Sequence, residues 1–66
     1  MKVIRFPYNL KSLRESAGMT QGKLAELVGV NQRTISAWER GICEPSFQHL
    51  AFLCELFNET FDSILT

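Results

Sequence analysis

The stretch TQGKLAELVGVNQRTISAWERG, residues 20–41, holds the side chains with the most chemical information. Gln32, Arg33, Ser36, Ala37 and Arg40 fall on one side of a helical segment whose other side carries Ile35 and Trp38. Gln and Arg each present two hydrogen-bonding groups in a fixed plane. That geometry matches the edges of bases, Gln to adenine and Arg to guanine. Gln21, Asn31 and Thr34 are short polar side chains near two helix starts, where free backbone N–H groups and the helix dipole favour phosphate. Gln, Arg and Ser are also ordinary on any solvated helix face. The elements that hold them therefore decide their meaning.

No other constellation suggests chemistry. Ser, Glu and His occur, but no spacing pairs a nucleophile with a base, so no enzyme activity is expected. Cys43 and Cys54 stand eleven residues apart around the lone His49. This spacing fits neither a zinc site nor a redox dithiol, and no metal or cofactor is expected. Cys54 reads as a small core residue, Cys43 as a loop residue and His49 as a solvated surface residue.

The positioning elements are short helices. Asn9 is a candidate N-cap for a helix over about 10–17, with Leu10, Leu13 and Ala17 on one face and Gly18 as its stop. Thr20 caps a second helix carrying Leu24, Ala25, Leu27 and Val28, with Lys23 in place of the Glu of a full capping box. Gly29 ends it. Asn31 caps the third, which runs to about Arg40 before Gly41. After Pro45, Ser46 caps a fourth helix through Phe57 whose inner face is Phe47, Leu50, Leu53, Cys54 and Phe57. Asn58 takes the place of a stop glycine, and Thr60 caps a last short helix with Phe61, Ile64 and Leu65. Gly29 permits a tight turn, so the second and third helices cross steeply. Val30 fills the gap, small Ala25 allows close approach, and the outer face of the third helix is left free. Residues 1–8 read as an arm or a short strand over VIRF, ahead of an all-α domain over 9–66.

Length and charge set further bounds. Sixty-six residues make one domain, and 45% apolar content suffices for one core. No apolar run approaches the roughly 18 residues of a membrane span. MKVIRFPYNL lacks the features of a signal peptide, so a cytoplasmic location is expected. Net charge is zero, but its distribution is uneven. Residues 1–40 carry all seven Lys and Arg against Glu15, Glu26 and Glu39, a net +4. Residues 41–66 carry Glu44, Glu55, Glu59 and Asp62 with no Lys or Arg, a net −4. One end can face phosphates while the other faces away.

TQGKLAELVGVNQRTISAWERG followed by EPSFQHLAFLCELFN resembles the XRE family, the Cro and phage-repressor type of helix-turn-helix. The resemblance covers about residues 9–65. It implies a five-helix, lambda-repressor-like domain with helices 2 and 3 as the helix-turn-helix and helix 3 in the major groove of double-stranded DNA. It also implies Gln21 on phosphate, Gln32, Arg33 and Ala37 near bases, Asn31 and Arg40 on the DNA backbone, and Arg14 with Glu39 as an internal ion pair. Phe52, Asn58 and Glu59 depart from the family pattern.

The function expected is transcriptional regulation, as a repressor that binds a pseudo-palindromic operator as a homodimer. No small-molecule ligand is evident. The acidic half must hold the dimer surface, because the basic half faces DNA. Phe52 lies off the inner stripe of the fourth helix, and with Leu56 and Phe61 it forms the candidate dimer contact. An antitoxin, or another protein-interaction module of a toxin–antitoxin or mobile-element system, is the alternative. An interaction domain without DNA is disfavoured by Gln32, Arg33 and Arg40.

Overall fold

Five α-helices make up the computed structural model, which describes residues 4–66. They are α1 (Phe6–Ser16), α2 (Gln21–Val28), α3 (Gln32–Glu39), α4 (Phe47–Phe57) and α5 (Phe61–Leu65). Among the described residues there is no strand. One fully buried aliphatic side chain comes from each helix: Leu10, Leu24, Ile35, Leu53 and Ile64. Phe6, Ala25, Trp38 and Cys54 complete the core. Each large apolar side chain so buried contributes about 1.5–3 kcal/mol. None of the five helices is long enough to be stable in isolation.

The start of α1 differs from expectation. Asn9 is not an N-cap; the helix begins at Phe6, with Pro7 in its first turn. Proline suits that place, where its missing N–H would have no helical partner. Phe6, only 4% exposed, supplies the burial that draws the helix back. Within VIRF, Val3 lies outside the described residues, Ile4 and Arg5 are irregular, and Phe6 is helical, so no strand forms over the described part. The helical domain therefore reaches into the segment expected to be an arm. Asn9 acts over a longer range, where its Nδ2 donates to the Ile64 carbonyl at 3.0 Å. Beside it the Arg5 N–H donates to the Leu65 carbonyl at 2.7 Å. Together they fasten α5 to α1.

The other ends follow capping chemistry. Thr20, Ser46 and Thr60 each accept a hydrogen bond from the backbone N–H three residues on, and Asn31 from that of Arg33. Thr60 and Ser63 form a reciprocal capping box. Asn58 closes α4 in the left-handed conformation at φ 54°. Glu59 accepts from the Ser63 hydroxyl at 2.8 Å, which gives its carboxylate a partner where an apolar residue is the family habit.

Four side chains expected elsewhere need correction, beginning with Leu27, which periodicity puts in the apolar stripe of α2 and which is 40% exposed. Ala17 is the exposed C-cap of α1, beyond the reach of the inner face. Phe47 is 73% exposed, because the first turn of α4 overhangs the core. It stacks instead on Phe61, with ring centroids 5.3 Å apart. His49 is half-buried, its ring 5.6 Å from that of Trp38.

Candidate nucleic-acid interface

Gly29 ends α2 at φ 85°, a conformation that carries no penalty without a Cβ. The N–H groups of Gly29 and Val30 both donate to the Ala25 carbonyl, at 2.8 and 3.0 Å. Two residues later Asn31 opens α3, its Oδ1 accepting from Arg33 N–H at 2.8 Å. The turn thus spends almost no chain between the helices. Buried Ala25 lets α2 and α3 pack closely, and half-buried Val30 seals the join.

Ile35 and Trp38 turn inward from α3. Gln32, Arg33 and Arg40 are exposed on the opposite side, with Thr34, Ser36 and Ala37 half-buried between. Gln21, Asn31, Gln32, Arg33 and Ser36 line one shallow depression at the joined starts of α2 and α3. The geometry collects base-type and phosphate-type side chains on one surface.

Behind that surface lies a polar network. Arg14 Nε and Nη2 donate to the two carboxylate oxygens of Glu39, at 2.6 and 3.1 Å. Its Nη1 donates to the Met19 carbonyl at 2.7 Å. The side chains of the pair are only 10% and 3% exposed. The hydrogen bond to Glu39 raises the pKa of Arg14 above its ordinary value, with burial opposing and the Glu39 charge assisting. Such a pair is bidentate and charge-assisted. It ties the end of α3 to α1 and to the loop before α2.

Gln21 belongs to this network as well as to the surface. Its Nε2 donates to Glu39 Oε1 at 3.1 Å, so the amide is already anchored from inside. The Lys23–Glu26 contact, by contrast, is 4.0 Å long between largely exposed side chains and contributes little.

The three residues expected at a dimer contact lie on two helices, Phe52 and Leu56 on α4 and Phe61 on α5. Phe52 is 41% exposed and Phe61 39% exposed. Leu56 shares the Phe52 face of α4 but packs partly on the core. Phe61 belongs to the Phe47 stack, and Phe47 and Phe52 diverge by about 140° around α4. The exposed Phe47–Phe61 pair was missed because its members sit on successive helices: inner-face periodicity claimed Phe47, and Phe61 was assigned beside Phe52.

A family model described as helix-turn-helix matches residues 10–64. The chain belongs to the XRE-type helix-turn-helix family. It is 32% identical over 57 residues to the antitoxin PezA of Streptococcus pneumoniae, covering 86% of this chain and 36% of that protein. It is 33% identical over 63 residues to the HTH-type transcriptional activator BcrR of Enterococcus faecalis, covering 96% and 31% respectively. This chain thus spans about a third of the length of these relatives. The P22 c2 repressor protein, solved in complex with a synthetic operator, superposes with a TM-score of 0.86 at 26% identity, over all of this chain and 97% of that one. Members of this helix-turn-helix family are DNA-binding transcriptional regulators, and the five-helix architecture here is theirs. Among the described residues, no helix is long and apolar enough to cross a membrane.

Proposed function

We propose that this chain is a transcriptional repressor that lays α3 in the major groove of a pseudo-palindromic operator and binds it as a homodimer. The observation that carries the reading is the exposure of Gln32 and Arg33 at the start of a helix held rigidly from behind by Arg14 and Glu39. Gln32, Arg33 and Ala37 meet base edges. Gln21, Asn31 and Arg40 meet the phosphate backbone, with Thr34 and Ser36 beside them. For Gln21, the Glu39 anchor already fixes the amide, so little side-chain freedom is lost on contact.

One such helix reads only a few base pairs. A two-fold dimer sets two copies about 34 Å apart, one turn of duplex. Phe52 with Leu56 on α4, and Phe61 on α5, supply the contact, all in the half of the sequence without Lys or Arg.

Selection of bound sites from random duplex DNA tests this. The wild type is expected to yield a pseudo-palindrome and to lose affinity steeply with salt. Arg33→Ala should relax one position per half-site by about 1–3 kcal/mol, whereas Gln21→Ala should weaken all sites alike. An unaltered preference in Arg33→Ala removes Arg33 from base reading.

The match to PezA favours a second reading, an antitoxin whose domain is shared between DNA and a toxin. Expression of the adjacent reading frame alone and with this chain separates the two. A neighbour that is harmless by itself eliminates the antitoxin.

A further inference from the structure

Three of the four glycines have positive φ: Gly18, Gly29 and Gly41. Gly22 does not, and it is the second residue of α2, in the first turn, where glycine still brings more backbone entropy to lose than alanine. Backbone freedom therefore gives no account of it. What surrounds it does. A Cβ on Gly22 would stand 3.3 Å from Gln32 Oε1, 3.9 Å from Gln32 Cδ and 3.8 Å from Thr20 Oγ1. The bare face of α2 at Gly22 is a seat on which the Gln32 amide rests.

We propose that Gly22 is a positioning residue for base reading: by leaving room for the Gln32 amide, it sets the direction in which that amide points. The proposal rests on the reading of α3 as the helix that enters the major groove. A bidentate contact needs both amide atoms in the plane of the base. Gln32 is exposed at the first position of α3, so without a surface beneath it the side chain is free to sweep. Seating on α2 removes part of that freedom before DNA arrives, and pre-organisation of this kind raises affinity and selectivity by cutting the ordering cost. A methyl group at position 22 meets the far end of a flexible side chain. The amide yields by a few tenths of an ångström and the helices stay in place.

The test is a cycle of four proteins: wild type, Gly22→Ala, Gln32→Ala and the double variant. Each is melted, profiled by site selection from random duplexes, and titrated on the preferred site and its single-base-pair variants. Gly22→Ala is expected to melt no lower than wild type, since alanine favours the helix. It is expected to lose about threefold or more in discrimination at the positions that Gln32→Ala also relaxes, within the roughly 5- to 150-fold that a bidentate contact spans. In the Gln32→Ala background, adding Gly22→Ala is expected to change nothing further. Equal losses in both backgrounds, or a lower melt with an unaltered profile, would overturn the proposal. If Gln32→Ala itself leaves the profile unchanged, the base-reading role of Gln32 fails and Gly22 falls with it. An altered Gln32→Ala profile beside an unaltered Gly22→Ala profile overturns Gly22 alone.

Discussion

Arg14 and Glu39, twenty-five positions apart, meet through two hydrogen bonds of 2.6 and 3.1 Å and are almost wholly withdrawn from solvent. A pair this buried differs in kind from a surface salt bridge. Its worth lies less in attraction than in what happens when one member is lost. Glu39→Ala leaves the guanidinium with only the Met19 carbonyl and is expected to cost about 3–5 kcal/mol. The double variant Arg14→Met with Glu39→Leu should lose much less than the sum of the two single losses. Urea midpoints measure both. The pKa of Arg14 is raised, so its stabilising contribution is present throughout the range below the ordinary guanidinium value and is lost only as pH climbs through the still higher folded value. The midpoint should therefore owe no pH dependence to Arg14 across the neutral range.

Asn31 separates capping from DNA contact. Asp and Asn are near-equal caps, and Asp adds a negative charge at the start of α3. Asn31→Asp should leave the thermal midpoint close to wild type, while DNA binding weakens at low salt through repulsion of phosphate. Asn31→Ala should instead lower stability by about 0.5–2 kcal/mol. Calorimetry and DNA titration on the same samples distinguish the two effects. Intact binding by Asn31→Asp would place Asn31 away from the phosphates.

How much of this was legible in the sequence can be read from particular residues. Thr20, Asn31, Ser46 and Thr60 mark helix starts because their short side chains reach a backbone N–H, a local matter that sequence records. Gly29 marks the turn for an equally local reason. Asn9 misled because its local chemistry is that of a cap, while its actual partner is the Ile64 carbonyl, 55 residues away. Phe47 misled because periodicity assigns a face and cannot say how far a helix overhangs its core. The seat under Gln32 lies between residues ten apart in sequence on two crossing helices, and no spacing rule encodes it. The positions proposed to read DNA were visible as residue types on a free face, whereas the internal anchor on Gln21 was not.

Phe52 carries the assembly prediction. Phe52→Lys should shift the protein toward monomer in sedimentation velocity without lowering its melt, since the side chain is 41% exposed and outside the core. DNA affinity should fall with it, because the second half-site is no longer tethered. An undiminished dimer rules Phe52 out as a principal contact and turns attention to the Phe47–Phe61 stack.

The two thiols should behave differently. Cys43 is exposed and Cys54 buried, and neither is in a disulfide. Burial, then the charge of Glu59, pushes the Cys54 thiol above its ordinary value of 9.0. A thiol reagent at neutral pH is expected to modify one cysteine quickly and the second only in denaturant. A raised acid pKa means full stability below the ordinary value and loss as pH rises through the folded one. Stability above pH 9 should therefore fall less steeply in Cys54→Ala than in wild type, as followed by urea midpoints.

The clasp between α1 and α5 has a consequence for the order of folding. Asn9 and Ile64 lie 55 residues apart, whereas α2 and α3 meet through a turn of a few residues. Closing the longer loop costs roughly 1.5 kcal/mol more than closing one of about ten residues. The α2–α3 element is thus expected to form early, and the α1–α5 seam to zip last and fray first. Such partial opening is a sub-global unit of its own, with a free energy below that of the whole domain. A destabilised variant would then shed its fifth helix, and with it Phe61, while α2 and α3 still hold their crossing. The proposed dimer contact is then the fragile feature of this fold and the proposed base-reading face the durable one.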